Sequence, residues 1–275
     1  MILVTGATGN VGSELMKILA DAGEPVRGMM RKRRPLPGDA EAVVGDLNDA
    51  TSVRAAAEGA KGAFLLGGYD DMPGVLAALR EAGVEHVALL SSRCVIGGQE
   101  SNVVTAMHLT GEAQVRASGL AWTFLRPSGF LSNTLRWIPQ LKAGDVVREP
   151  FADVPITGID PRDIAAVAAA ALTTPGHDGQ AYAITGPEPL LPADRLRTLG
   201  KVLGRDLTLE GLSNDEARAE MSTRIPGKYV DAFFRFFVGG EFDDSAVTTT
   251  VREVTGREPR RFGQWAEEHA EAFTA

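Results

Sequence analysis

Three glycines recur at three-residue intervals in Thr5-Gly6-Ala7-Thr8-Gly9-Asn10-Val11-Gly12. The segment follows an apolar run, Met1-Ile2-Leu3-Val4, and leads into an amphipathic stretch over 11–22. A glycine loop placed between a strand and a helix is suited to cradle phosphates. Gly6 permits a tight turn, Gly9 lets the backbone approach a pyrophosphate, and Gly12 lets the helix pack close to the sheet. Thr8, Asn10 and Val11 complete the loop, and the helix start offers free N–H groups and a positive dipole end. The expected ligand is a dinucleotide, NADP(H) or NAD(H).

The end of the second strand bears on which one. Proteins that prefer NAD place an acid there, against the ribose 2′-hydroxyl. This sequence has Arg31, and no acid before Asp39. Arg31, with Arg33 or Arg34 nearby, suits a 2′-phosphate through forked, charge-assisted hydrogen bonds. NADP(H) is therefore the expected preference, with NAD(H) left open. The plainer alternative is a solvated basic loop.

Proton chemistry has one candidate pair. In His108-Leu109-Thr110-Gly111-Glu112, His108 and Glu112 lie four residues apart and share a helix face. A neighbouring carboxylate raises a histidine's pKa and favours the proton-donating imidazolium. His108 and Glu112 are thus candidate catalytic residues, or else an ordinary polar pair on a half-exposed helix. Gly111 inside that helix costs roughly 1 kcal/mol relative to alanine, which a close approach by cofactor or backbone would rationalise. Ser92 is a candidate hydrogen-bond donor to a substrate carbonyl, without a nucleophile elbow around it. The four histidines show no metal spacing. Cys94, the single cysteine, reads as a buried thiol.

These residues need a scaffold, and the periodicity supplies one. Short apolar or β-branched runs lie at 1–5, 25–30, 41–44, 62–66, 84–91 and 120–125, with helical patterns at 11–22, 49–58, 73–82 and 103–118 between them. Such alternation means βαβ units and a parallel sheet. Asp49 suits the cap of one helix and Gly59 its end; Gly83 and Gly119 sit at turns from helix to strand. After residue 127 the pattern changes. Segment 127–160 is irregular, and a helix at 161–172 and a strand at 181–185 follow. Helices are then expected near 192–204, 213–222, 226–238, 243–255 and 263–273. The expected fold is a Rossmann-type α/β protein, a doubly wound parallel sheet with a smaller, mostly helical C-terminal substrate lobe. Its dinucleotide-binding domain spans 1–160, residues 161–186 add the last sheet elements, and 187–275 form the lobe.

Composition excludes several classes. A chain of 275 residues buries a full core without metals or disulfides. A formal net charge of −8 argues against a general nucleic-acid binder. The sequence has neither a membrane-length apolar run nor a signal peptide, so a cytoplasmic monomer or homodimer is expected.

The loop TGATGNVG, Arg31, Val44-Gly45-Asp46-Leu47, Phe64-Leu65-Leu66, Ser91-Ser92 and Ala121-Trp122-Thr123-Phe124-Leu125-Arg126-Pro127 together resemble the NmrA-like atypical short-chain dehydrogenase/reductases. That group includes quinone reductases, triphenylmethane reductases and redox-sensing regulators. The resemblance implies that Asp46 and Leu47 sit against the adenine, and that Leu65, Leu66 and Gly67 pass near its ribose. It implies Ser91 near the nicotinamide ribose, with Arg126, Pro127 and Ser128 flanking the nicotinamide. Typical short-chain dehydrogenases carry Tyr-x-x-x-Lys on the helix corresponding to 103–118, and here that helix holds neither residue.

In open α/β sheets ligands lie beyond the carboxyl ends of the strands. The expected pocket wall therefore includes Tyr69, Val95, Ile96, Phe130, Leu131, Trp137 and Ile138, with Phe233, Phe234, Phe236 and Phe237 from the lobe or else in its core. An aromatic wall suits a small hydrophobic or aromatic substrate. The expected activity is NADPH-dependent hydride transfer to a conjugated carbonyl, quinone or imine-type acceptor. Electron-poor acceptors of this kind need less proton donation, so the missing Tyr-Lys pair is less damaging. The alternative is a non-catalytic sensor of the NADP(H) ratio.

Overall fold

The computed structural model describes residues 1–274. Its strands are β1 (Ile2–Thr5), β2 (Val26–Met30), β3 (Glu41–Val44), β4 (Gly62–Leu66), β5 (His86–Leu90), β6 (Ala121–Pro127), β7 (Val146–Glu149), β8 (Gln180–Ile184) and β9 (Thr208–Gly211). Its helices are α1 (Asn10–Asp21), α2 (Ala50–Ala57), α3 (Met72–Glu81), α4 (Val103–Ala117), α5 (Ile138–Ala143) and α6 (Pro161–Thr173). The C-terminal helices are α7 (Pro192–Leu203), α8 (Asn214–Ser222), α9 (Gly227–Phe237), α10 (Thr250–Thr255), α11 (Phe262–Glu268) and α12 (Ala270–Thr274).

Seven strands form one parallel sheet in the order β3-β2-β1-β4-β5-β6-β8. Strand alternation sends one set of side chains to each face. Val4, Phe64, Ala88 and Leu125 join the core under α1, α6 and α10. Leu3, Leu65, Leu89 and Phe124 join the core under α2, α3 and α4. The sheet is thus doubly wound, and its order reverses between β1 and β4. That reversal opens the crevice in which ligands of such sheets bind.

Local signals place the helices as their chemistry requires. The Asp49 side chain accepts from Thr51 N at the start of α2, and Gly59 follows with φ +73°. Tertiary contacts override the signals elsewhere. The helix expected over 243–255 forms only at Thr250–Thr255. The Asp244 carbonyl accepts from both Thr157 N and Thr157 Oγ1, and Thr248 N donates to Thr185 Oγ1. Those backbone groups are engaged with the sheet domain and cannot build a helical ladder.

The lobe draws on two stretches of chain. β7, from the irregular segment before residue 160, pairs in parallel with β9. Leu131, Trp137, Leu141 and Val147 pack with Leu196, Leu199, Phe262, Trp265 and Phe273 in one core. A smaller cluster joins Ala217, Val230 and Phe234 to Phe151 and Leu212. Among the described residues, no helix is long and apolar enough to cross a membrane.

Candidate active site

The glycine loop stands at the carboxyl end of β1, beside β4, at the reversal of strand order. Gly6 has φ +61°, a conformation that favours glycine, and a Cβ there would come within 2.8 Å of Leu66 Cδ1. A Cβ on Gly12 would overlap the Gly6 carbonyl. Gly6 is therefore required by its backbone conformation and Gly12 by close approach to backbone. Val11 is buried, while Thr8, Gly9 and Asn10 are exposed. Asn10 Nδ2 donates to Ser132 Oγ at 3.0 Å, tying the loop to the lobe. Gly9 caps α1 without a side-chain bond, whereas side chains cap α2, α3, α4 and α6. The first turn of α1 thus keeps its N–H groups and dipole for an anion. This cradle fits a dinucleotide pyrophosphate.

Loops after β2, β3 and β4 converge at the other end of the crevice. Arg31 is exposed there. Burial and the Asp46 carboxylate push the Tyr69 phenol above its usual range, and Arg31 opposes them. Asp46 Oδ1 accepts from Asn48 N at 3.0 Å, a local turn. Leu47 packs against the α2–α3 core. Leu65 is fully buried in that same core, so its side chain stands away from the crevice, which Leu66 and Gly67 line instead.

Glu112 lies fully buried on α4 and is heavily engaged. It accepts from Arg126 Nε at 2.8 Å and Nη2 at 2.6 Å, from Ser91 Oγ at 2.8 Å and from Arg116 Nη2 at 3.3 Å. Burial alone would raise its pKa, but the hydrogen bonds and charges of Arg126, Ser91 and Arg116 together hold it below the usual value. This changes the expectation for His108. Burial lowers the His108 pKa, and Glu112 offsets only part of the effect. A carboxylate already neutralised by two arginines cannot stabilise an imidazolium strongly, so His108 is neutral near pH 7.

Gly111 shows no crowding by a neighbouring backbone. A Cβ there would meet Leu89 Cδ2 at 4.0 Å, ordinary contact. Gly111→Ala is therefore expected to stabilise the unliganded protein by up to ~1 kcal/mol, read as a raised Tm. A fall in Tm would show that the helix tolerates no methyl at this position.

A cleft of about 430 Å³ opens beyond β4, β5 and β6. Leu66, Gly67, Ser91, Ser92, His108, Pro127, Ser128 and Phe130 line it, and the lobe adds Phe233, Phe236, Phe237 and Phe242. Ser92 Oγ accepts from Cys94 N at 3.3 Å, and its hydroxyl also lies in hydrogen-bond contact with the Cys94 thiol. A second cavity of about 450 Å³ within the lobe shares Gly129, Asn133, Phe233, Phe237 and Asp244 with the cleft. Of the remaining expected wall residues, Leu131 and Trp137 belong to the lobe core, Tyr69 packs beneath the α2–α3 side and Phe234 is buried in the smaller cluster. Val95 and Ile96 stand outside both linings.

Asp244 at the junction carries no signal in the sequence. Its Oδ1 pairs with Arg93 Nη1 at 2.9 Å and its Oδ2 accepts from Gly129 N at 3.0 Å. Burial pushes its carboxyl up to about 6 despite those partners.

A cradle of this geometry, at the reversal point of a parallel sheet, defines a dinucleotide-binding protein. The chain belongs to the NAD(P)H-binding family, whose pattern matches residues 6–175. It is similar to the (4-alkanoyl-5-oxo-2,5-dihydrofuran-3-yl)methyl phosphate reductase of Streptomyces griseus subsp. griseus, at 41% identity over 99% of each chain. It is 33% identical, over the whole of both chains, to NAD(P)H azoreductase of Xenophilus azovorans. Among solved structures, an NADPH-dependent quinone oxidoreductase of Escherichia coli complexed with NADPH matches with a TM-score of 0.79. That match covers 98% of this chain and 99% of the other at 22% identity. The family is one of NAD(P)H-dependent reductases.

Proposed function

We propose that this chain is an NADPH-dependent reductase that passes hydride to a hydrophobic, conjugated carbonyl acceptor. The observation that supports it is the continuity of the cleft, at the strand ends, with an aromatic-walled cavity of substrate size. The Streptomyces relative's name describes an unsaturated lactone bearing a further acyl group, an electron-poor acceptor of this kind.

NADPH bound at the cradle supplies the hydride. The protein's own groups orient the acceptor. The Ser92 O–H, rotated from the Cys94 thiol, donates to the acceptor's carbonyl oxygen, where negative charge develops. Neutral His108 offers an N–H to the same oxygen or its relay water. Glu112 positions Ser91 and α4 and remains a carboxylate throughout. The phenylalanines hold the apolar part of the acceptor.

The test is NADPH oxidation with menadione, an acyl-butenolide and an azo dye. His108→Ala is expected to lower kcat by about ten- to hundredfold. Because burial lowers the His108 pKa, the imidazole stays neutral from pH 8 down to at least about pH 6.5 and wild-type activity should be level across that range; a pH dependence of kcat in that range that His108→Ala removes would contradict a neutral donor. Turnover with none of the acceptors, together with a strong difference between NADPH and NADP⁺ binding, would favour the sensor instead.

Arg31 supports the choice of NADPH. Arg31→Ala is expected to weaken NADPH binding about tenfold or more while leaving NADH unchanged. Equal losses for the two cofactors would remove Arg31 from 2′-phosphate recognition.

A further inference from the structure

The lobe cavity holds a charge that hydride transfer does not use. Arg195, on α7, is 6% exposed and lines this space. Its Nε is buried without a hydrogen-bond partner, and among the described residues its guanidinium forms no ion pair. Its closest aromatic contact places the guanidinium 5.6 Å from the Trp137 ring centre.

Two other arginines on the wall are already engaged by carboxylates. Arg136 is held by Glu149, and Arg148 by Glu210, Glu216 and Glu220. Glu149 also accepts from Trp137 Nε1 at 2.8 Å, and Asp244 is taken by Arg93. Arg195 is left, with exposed Arg224 on the same wall and also without an ion pair among the described residues. Burial, with the charge of Arg136, lowers the Arg195 pKa to about 10 against the opposing pull of Glu149, so it stays protonated at neutral pH. The Glu149 carboxylate that acts on Arg195 is already bonded to Arg136 and Trp137, and a buried cation without an ion pair of its own is costly until a ligand brings the counter-charge.

We propose that Arg195, assisted by Arg224, holds a phosphate monoester on the acceptor, in the lobe cavity beyond the reducing cleft. Arg195 and Arg224 each lack an ion pair among the described residues, and a phosphoryl group, which carries nearly two negative charges at neutral pH, can engage both. A carboxylate would satisfy only one of them. The forked guanidinium presents parallel N–H groups to two phosphoryl oxygens. The apolar remainder of the acceptor then spans the shared residues Asn133, Phe233 and Phe237 toward Ser92. This inference rests on the reductase reading of the same site, but its test does not require turnover.

The NADPH-loaded protein is titrated calorimetrically with octyl phosphate, octanoate and octanol, alongside Arg195→Gln, Arg195→Lys and Arg224→Gln. Octyl phosphate is expected to bind at least about tenfold tighter than octanol, with octanoate between them. Arg195→Gln should erase that advantage and leave octanol binding unchanged, and Arg224→Gln should erase part of it. The proposal is overturned if octyl phosphate binds no tighter than octanol or octanoate, or if Arg195→Gln keeps the advantage. Should Arg195→Gln fold poorly, thermal melts decide. Wild type and Arg195→Lys must gain more Tm from octyl phosphate than from octanoate, and equal gains overturn the proposal. A protein that reduces nothing yet shows this selectivity defeats the reductase reading alone.

Discussion

Gly12→Ala is expected to abolish useful NAD(P)H binding. The added methyl would overlap the carbonyl carbon and oxygen of Gly6 and stand 3.2 Å from Ala7 Cα. All three are backbone atoms of the loop that cradles the pyrophosphate. They cannot swing aside as a flexible side chain would, so the start of α1 must move away from the end of β1. The N–H groups of that first turn then lose their aim at the phosphates. Affinity should fall by at least about a hundredfold, ~2.7 kcal/mol. Overpacking should also cost the unliganded protein ~1–3 kcal/mol. Gly144→Ala is the control, since a Cβ there meets nothing within 4 Å; it should leave cofactor binding unchanged. Fluorescence titration with NADPH distinguishes the cases, and wild-type affinity in Gly12→Ala would show that the loop does not hold the phosphates.

Glu112→Ala should be the most destabilising change in α4. It leaves Arg126, which is only 18% exposed, without its counter-ion, and it removes the acceptor of Ser91. Removing one member of a buried ion pair costs about 3–5 kcal/mol. For a chain of this size that lowers Tm by roughly 10 °C. Joint replacement, Glu112→Leu with Arg126→Met, should cost much less than the single change, because no charge is then stranded. The pH dependence has a definite sign. The folded protein holds the Glu112 pKa below its ordinary value. Its stabilisation is therefore fully present above about pH 4.5, the unfolded value, and is lost as pH falls through the lower folded value. Acid unfolding of Glu112→Gln should consequently be less steep below pH ~4.5 than that of the wild type. A single mutant as stable as the wild type would mean that the Arg126 pair contributes nothing.

Much of the scaffold was legible in the sequence because its signals are local. The apolar runs of β1, β4 and β5, the Asp49 cap and the three loop glycines depend on residues adjacent in the chain. Backbone sterics and side-chain periodicity act over just those distances. The match of the family pattern to residues 6–175 extends over that same stretch. The two short strands β7 and β9 were not legible. Each has four residues, too few to show a period, and their register comes from a partner some 60 residues away.

What the sequence by itself determined, then, is the doubly wound sheet, the phosphate cradle at Gly6, Gly9 and Gly12, and a histidine one helical turn from a carboxylate. Only the tertiary structure decided the charge states. The i,i+4 spacing suggested that Glu112 charges His108; folding brings in Arg126 to claim that carboxylate and half-buries the imidazole, so the histidine stays neutral. Asp244 meets Arg93 across 151 residues of chain, and Arg195 lines the lobe cavity without an ion pair among the described residues. Periodicity is a property of neighbours along the chain, whereas a pKa or an unpaired charge is set by whatever the fold brings within a few ångströms.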